Sequence, residues 1–140
     1  MNTSKKKIFV ICPVRIADDA TRRKLEAYKQ KLEAEGHEVH MPHLDTNQEA
    51  GTYAICVQNL KAIVEAEEIH IFFNPVSYGT HFDLGMTFLS CYLDKRKTIK
   101  VIENLETCSE DGQIKAVLFN SFSQLLEHWE KKQQERVAVK

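Results

Sequence analysis

"EEIHIFFNPVSYGTHFDLGMTFL", residues 67–89, decides the fold. Its first part, around Ile69, Ile71, Phe72 and Phe73, is a short run of β-branched and aromatic residues that Pro75 stops. That pattern predicts a buried strand over 67–74. Its second part begins at Gly79 and keeps apolar residues at helical spacing, predicting a helix over 79–96. The turn between them, "PVSYG", joins a strand directly to a helix start.

The alternation continues outward in both directions. Upstream, "KKIFVIC" is a strand ended by Pro13. Residues 17–36 follow as a helix with Leu25, Tyr28 and Leu32 in register, acids at its start and Gly36 at its end. "HEVHMP" is a strand stopped by Pro42, residues 43–52 read as a polar loop, and 53–66 as a helix with Ile55, Leu60 and Ile63 as core candidates. Downstream, "KTIKVIE" is a fourth strand, and "IKAVLF" is a fifth strand or a helical segment. "NSFSQLLEHWEKK" is a last helix, with Ser121 as N-cap and Gln124 completing a capping box. Strands alternating with helices predict one α/β domain spanning 1–140. The expected architecture is three-layer α/β/α, flavodoxin- or Rossmann-like, around four or five mostly parallel strands.

The chain has 140 residues, 43% of them apolar, and a net charge of −1. That is enough for one sizeable core, and nothing in the charge argues for a nucleic-acid polymer as partner. No apolar run approaches the length of a membrane span, and "IFVIC" after the basic start is too short for a secretory signal, so a cytoplasmic, membrane-free protein is expected. Cys12, Cys56, Cys91 and Cys108 are scattered and read as packing residues of a reducing compartment. Lys5–Lys7 and the C-terminal "KKQQERVAVK" read as solvated, frayed ends.

In parallel sheets ligands bind beyond the carboxyl ends of the strands, which directs attention to "CPVRIAD", "MPHLDTNQ" and "NPVSYGT". In the last of these, Ser77, Gly79 and Thr80 at a helix start suit either an anion cradle or ordinary capping. Asp83 lies one turn further on, among apolar Phe82, Leu84 and Met86. An ionised acid there needs partners or a task. Gly85 inside a helix costs about 1 kcal/mol against alanine, which points to a close approach by backbone or ligand.

The ordered pattern of a strand, "S-x-GT-x-x-[acid]-x-G" and a helix resembles the nucleoside 2-deoxyribosyltransferase superfamily, which includes nucleotide N-glycosidases. The likeness runs from "KIFVICPVR" through "KTIKVIE". It implies cleavage or transfer of an N-glycosidic bond, without metal or organic cofactor. In such chemistry a carboxylate captures or stabilises an oxocarbenium-like sugar. By this resemblance Asp83 takes the nucleophile's place. Ser77, Gly79 and Thr80 take the sugar- or phosphate-binding loop, Arg15 borders the substrate, and Asn59 stands where an acid assists base departure. Two positions depart from the pattern. Asp83 replaces the usual glutamate and is shorter by about 1.5 Å. Asn59 replaces an aspartate and has no acid proton to give, for which Asp45 is a candidate substitute. The expected ligand is a small nucleoside or nucleotide. The alternative reading is a catalytically altered nucleotide-binding or sensing protein on the same fold.

His81 lies inside the motif and is a candidate substrate contact. His37, His40 and His43 are spaced as H-x-x-H-x-x-H, but a three-residue step along a strand puts neighbours on opposite faces, so no metal site is expected. The 53–67 helix and "MTFLSCYL" are candidate subunit-interface segments, and the resemblance implies a homodimer or larger homo-oligomer.

Overall fold

The computed structural model describes residues 4–74, 76–102 and 116–138. Five strands, β1 (Lys7–Ile11), β2 (Glu38–His40), β3 (Glu68–Ile71), β4 (Thr98–Ile102) and β5 (Ala116–Phe119), form one sheet in the order β2-β1-β3-β4-β5. The first four are mutually parallel and β5 pairs antiparallel with β4. Among the described residues five helices accompany them: α1 (Asp19–Ala34), α2 (Pro42–Asp45), α3 (Thr52–Glu65), α4 (Tyr78–Leu93) and α5 (Phe122–Ala138). The chain is thus the expected three-layer α/β/α domain with a mostly parallel sheet.

Topology sets the layers. From β1 the chain moves outward to β2, then returns across β1 to reach β3 and β4. Right-handed crossovers in opposite directions place their helices on opposite faces. Leu25, Tyr28 and Leu32 of α1 pack with Ile8, Val10 and Val39 on one face. Ile63 of α3 and Leu84 and Cys91 of α4 pack with Phe9, Ile11, Ile69, Ile71 and Ile99 on the other, joined by Leu125 of α5.

Local signals account for most element ends. Asp18 caps α1 by accepting from Thr21 N–H at 2.7 Å. At the other end Gly36, at φ 95°, closes a Schellman pair, with Gly36 N–H on Glu33 O and His37 N–H on Leu32 O. Ser121 Oγ accepts from Gln124 N–H as expected, but the Gln124 side chain accepts from Asn120 N–H, one residue upstream of a standard capping box.

Several expectations need correction. Residues 42–45 of the supposed polar loop form α2, because Pro42 starts a turn whose acceptor is the Met41 carbonyl. Leu60 is not core; it is 39% exposed on the outer side of α3. The C-terminal segment does not fray at once, since α5 runs on to Ala138. Lys5–Lys7 is not simply a solvated tail either: Lys7 opens β1 and Lys6 Nζ reaches Glu68 at 3.0 Å. Cys108 and the first two residues of "IKAVLF" lie outside the described residues.

β3 is central, and all 4 of its residues are buried, Glu68 and His70 included. His70 Nε2 donates to Glu68 Oε1 at 2.7 Å, and its Nδ1 accepts the Tyr28 hydroxyl. Lys100 Nζ stands 3.2 Å from the same Glu68 oxygen. Burial alone pushes the Glu68 carboxyl up, but the bonds from His70 and Lys6 more than reverse this and hold it below the ordinary range. Burial holds the His70 imidazole below its usual value, against the pull of Glu68.

Lys97, also buried, closes α3. Its ammonium donates to Ile63 O at 2.9 Å, Val64 O at 2.8 Å and Ala66 O, carbonyls at the end of the helix, of which Ile63 O also accepts the Ala66 N–H. Lys97→Met keeps the stem but removes the donors. It is expected to lower unfolding free energy by ~1–3 kcal/mol in urea titrations, with no loss of helix content by circular dichroism.

Candidate functional site

β1 and β3 are neighbours whose following segments diverge to opposite faces, and a cavity of about 450 Å3 opens above them. That volume suits a small organic ligand. One side comes from Cys12, Val14, Arg15 and Ile16 after β1, the other from Val76, Ser77, Tyr78 and Gly79 around the start of α4. Ile55 and Cys56 of α3 and Phe82 of α4 add apolar wall, and Asn59 and Asp83 lie together within it.

Each side chain is placed by its element. Arg22 Nη2 donates to Val14 O at 3.2 Å and ties the Arg15 loop to α1. Asn74 organises the entry to α4: its Oδ1 accepts Val76 N–H at 2.8 Å and its carbonyl accepts Ser77 N–H. Ser77 Oγ then caps α4 through Thr80 N–H at 3.2 Å. The first-turn N–H groups of Tyr78 and Gly79 sit where a helix has no internal acceptors, beside the Arg15 side. The cavity therefore has an anion-favouring rim, apolar walls and a carboxylate.

Asp83 is only 5% exposed and Asn59 only 6%. Asn59 Nδ2 donates to Asp83 Oδ1 at a long 3.4 Å. Burial pushes the Asp83 carboxyl up to about 7, and the Asn59 bond offsets only part of this. A carboxyl that changes charge near neutrality can act as nucleophile, base or acid according to its ligand. Cys12 lies at the same floor, its thiol pushed up to about 12 by burial and by the charge of Asp83. It stays a thiol, and thiolate chemistry has no support there.

Of the residues singled out in the sequence, Asp83, Asn59, Arg15, Ser77 and Gly79 are brought to this cavity. Asp45, Thr80 and His81 are not among its lining residues. Asp45 accepts from Met41 N–H at 2.8 Å and from Lys29 Nζ at 2.7 Å, and borders a smaller cavity of about 230 Å3 beside β2. Its work is to close α2 and tie it to α1. Thr80 is fully buried beneath the helix start, and His81 meets the edge of the Phe73 ring at 5.7 Å between centroids. The remaining histidines have separate settings: His37 Nδ1 accepts Lys6 N–H, His40 meets Thr46 and His43 meets Glu26.

Two participants were not singled out as site residues. Phe82, apolar and next to the acid, was read only as a sign of burial. Thr46 looked like any polar loop residue; its hydroxyl donates to Asn59 Oδ1 at 2.6 Å.

No family model matches the chain, and no curated protein matches it in sequence.

The raised Asp83 value has a thermodynamic sign. Between pH about 4 and about 7 the folded chain keeps a proton that the unfolded chain, near the ordinary 3.8, has lost. Stability from this group therefore falls as pH rises through that window and stays low above it. Asp83→Asn is expected to be more stable than the parent at pH 8 by ~1–4 kcal/mol. The two should converge near pH 4, as read by thermal or urea unfolding at each pH.

Proposed function

We propose that this protein cleaves or transfers the N-glycosidic bond of a nucleoside or nucleotide, in the manner of the nucleoside 2-deoxyribosyltransferase superfamily. The observation that carries the reading is the buried Asp83 carboxylate, set between apolar walls and an anion-favouring rim at the point where β1 and β3 part. The sugar sits with its anomeric carbon against Asp83. The base lies against Ile55 and Phe82, and a 5′ substituent faces Arg15 and the start of α4. As the carbon–nitrogen bond breaks, its electron pair leaves with the base. A carboxylate oxygen of Asp83 stabilises the cationic sugar or bonds to it; water or a second base then bonds to the sugar carbon as any bond to Asp83 breaks, and the proton it sheds goes to the departed base. The ionised acid is the reactive form. Neither metal nor organic cofactor enters the proposal, and a cytoplasmic setting suits a nucleotide substrate.

The test is chromatographic detection of free base from a panel of nucleosides and nucleoside monophosphates. Parent protein is expected to release base, with a rate that climbs as pH passes about 7 and then levels. Asp83→Ala, folded, should lose at least ~10³-fold. Undiminished turnover in that variant would remove Asp83 from the chemistry. Asn59 favours the second reading, ligand binding or sensing without turnover, because an amide has no acid proton for a departing base. Saturable ligand binding with no base release from any panel member would establish it.

The reading includes a second copy of this chain. α4 carries apolar side chains on both sides. Leu84 and Cys91 pack into the core beside buried Thr80, Asp83, Thr87 and Ser90, while Phe82, Leu89 and Leu93 are 55%, 54% and 75% exposed. The outer side of α3 adds Tyr53, Leu60 and Val64. Among the described residues nothing stands within 4 Å of a Cβ at Gly85, so none of them supplies the close approach expected there. An exposed apolar surface of this kind is characteristic of an interface. Sedimentation is expected to give a dimer or larger assembly for the parent and a monomer for Leu89→Glu. A monomeric parent at micromolar concentration would dismiss the partner copy.

A further inference from the structure

Four polar side chains from separate segments run in line from the end of β2 to the cavity. His40 closes β2, Thr46 follows α2, Asn59 lies on α3 and Asp83 on α4. His40 Nε2 is 2.7 Å from Thr46 Oγ1, Thr46 Oγ1 is 2.6 Å from Asn59 Oδ1, and Asn59 Nδ2 is 3.4 Å from Asp83 Oδ1. A hydroxyl has one proton and an amide oxygen can only accept. Thr46 therefore gives its proton to Asn59, and the remaining role toward His40 is acceptor. His40 must donate from Nε2.

We propose that His40 and Thr46 are positioning residues that hold the Asn59 amide with its N–H toward Asp83. The direction of the whole chain then matters. With Nε2–H on His40, every bond points toward the carboxylate and favours its ionised form. With the proton on Nδ1 instead, Nε2 would accept from Thr46, and Thr46 would accept from the Asn59 amide. The Asn59 carbonyl would then face Asp83, which suits the protonated acid. The imidazole tautomer and the charge at the cavity floor are coupled through two neutral side chains.

The setting holds the ring in place and keeps it neutral. The His40 ring stacks on Phe9, with centroids 5.4 Å apart. Burial lowers its proton affinity, with Asp45 opposing and Lys29 adding to the effect. At neutral pH the ring thus carries one proton and must choose a tautomer. Asn47 N–H donates to Gln58 Oε1 at 3.0 Å, so two successive residues after α2 are laced to two successive residues of α3. Among the described residues, the other titratable groups on the cavity of Asp83 are the Cys12 and Cys56 thiols, the Tyr78 hydroxyl and Arg15. The importance of this arrangement for turnover rests on the proposed function; the arrangement itself does not.

The experiment is an NMR titration of the Asp83 carboxyl carbon, together with the nitrogen shifts of the His40 ring, in the intact protein. Thr46→Val keeps the shape and removes the hydroxyl, and should move the Asp83 midpoint upward by about one pH unit. Thr46→Ser should restore it. His40 in the parent should show the Nε2–H form at neutral pH. A folded Thr46→Val whose Asp83 titration superimposes on the parent would overturn the proposal, and so would an Nδ1–H tautomer in the parent. If Thr46→Val does not fold, the parent's tautomer decides alone. A substrate panel without base release would end the reaction proposed above and leave this titration shift in place.

Discussion

The parallel pairing of β1 with β3, Ile8 through Ile11 against Glu68 through Ile71, is the constraint on which the rest of the molecule depends. It puts two strands side by side whose chains depart in opposite directions, one to α1 and one to α4. No helix can bridge the divide, so a crevice opens there. Everything in the candidate site is arranged around that opening. The loop after β1 brings Arg15 and Cys12, the turn after β3 brings Ser77, and α3 and α4, packed together on one face, carry Asn59 and Asp83 into contact.

The cost of this arrangement is concentrated on α4. A helix normally keeps its apolar residues for the core, but here small polar residues share the inner side with Leu84 and Cys91, and further aromatic and aliphatic ones lie on the outer side. Thr87 meets its own helix, with Oγ1 donating to the Asp83 carbonyl at 2.7 Å. Thr80, Thr87 and Ser90 on the inner side are small, and α4 seats Asp83 beside Asn59 of α3. Fold stability is therefore drawn from the sheet, from Ile69, Ile71 and Ile99 above all, and from polar networks such as Glu68–His70–Tyr28. The site itself takes stability away, because a carboxylate is held where water hardly reaches it.

The layers were legible because apolar runs at strand spacing alternate with helical periodicity along the chain. The strand ends were less so: β1, β2 and β3 finish at Ile11, His40 and Ile71, ahead of the prolines that mark the runs in the sequence. Asp83 and Asn59 were each singled out through the family resemblance, but nothing in the sequence shows that one bonds the other across 24 residues. What escaped was whatever depends on partners distant in the chain. Leu60 fits helical periodicity equally well on the inner or outer side of α3. Glu68 and His70 carry no sign of being buried, because their compensation comes from Lys6, Tyr28 and Lys100 on other elements. Asp45 and Thr46, adjacent and alike in a polar stretch, take opposite paths. One is bound by Lys29 and the Met41 amide, the other delivers a hydroxyl to Asn59. Only the geometry of α2 separates them.

Lys97 carries a different kind of consequence. A lysine amine reacts with acylating or alkylating reagents through its lone pair, and only once it has shed its proton and found the reagent. Here the nitrogen is enclosed and its three donors are engaged by carbonyls at the end of α3. Covalent chemistry at that nitrogen requires the helix end to let go first. Lys97 is in this sense a built-in clock for local opening: its rate of chemical labelling measures how often the end of α3 comes away from the sheet, a motion that the exposed lysines of the surface cannot report.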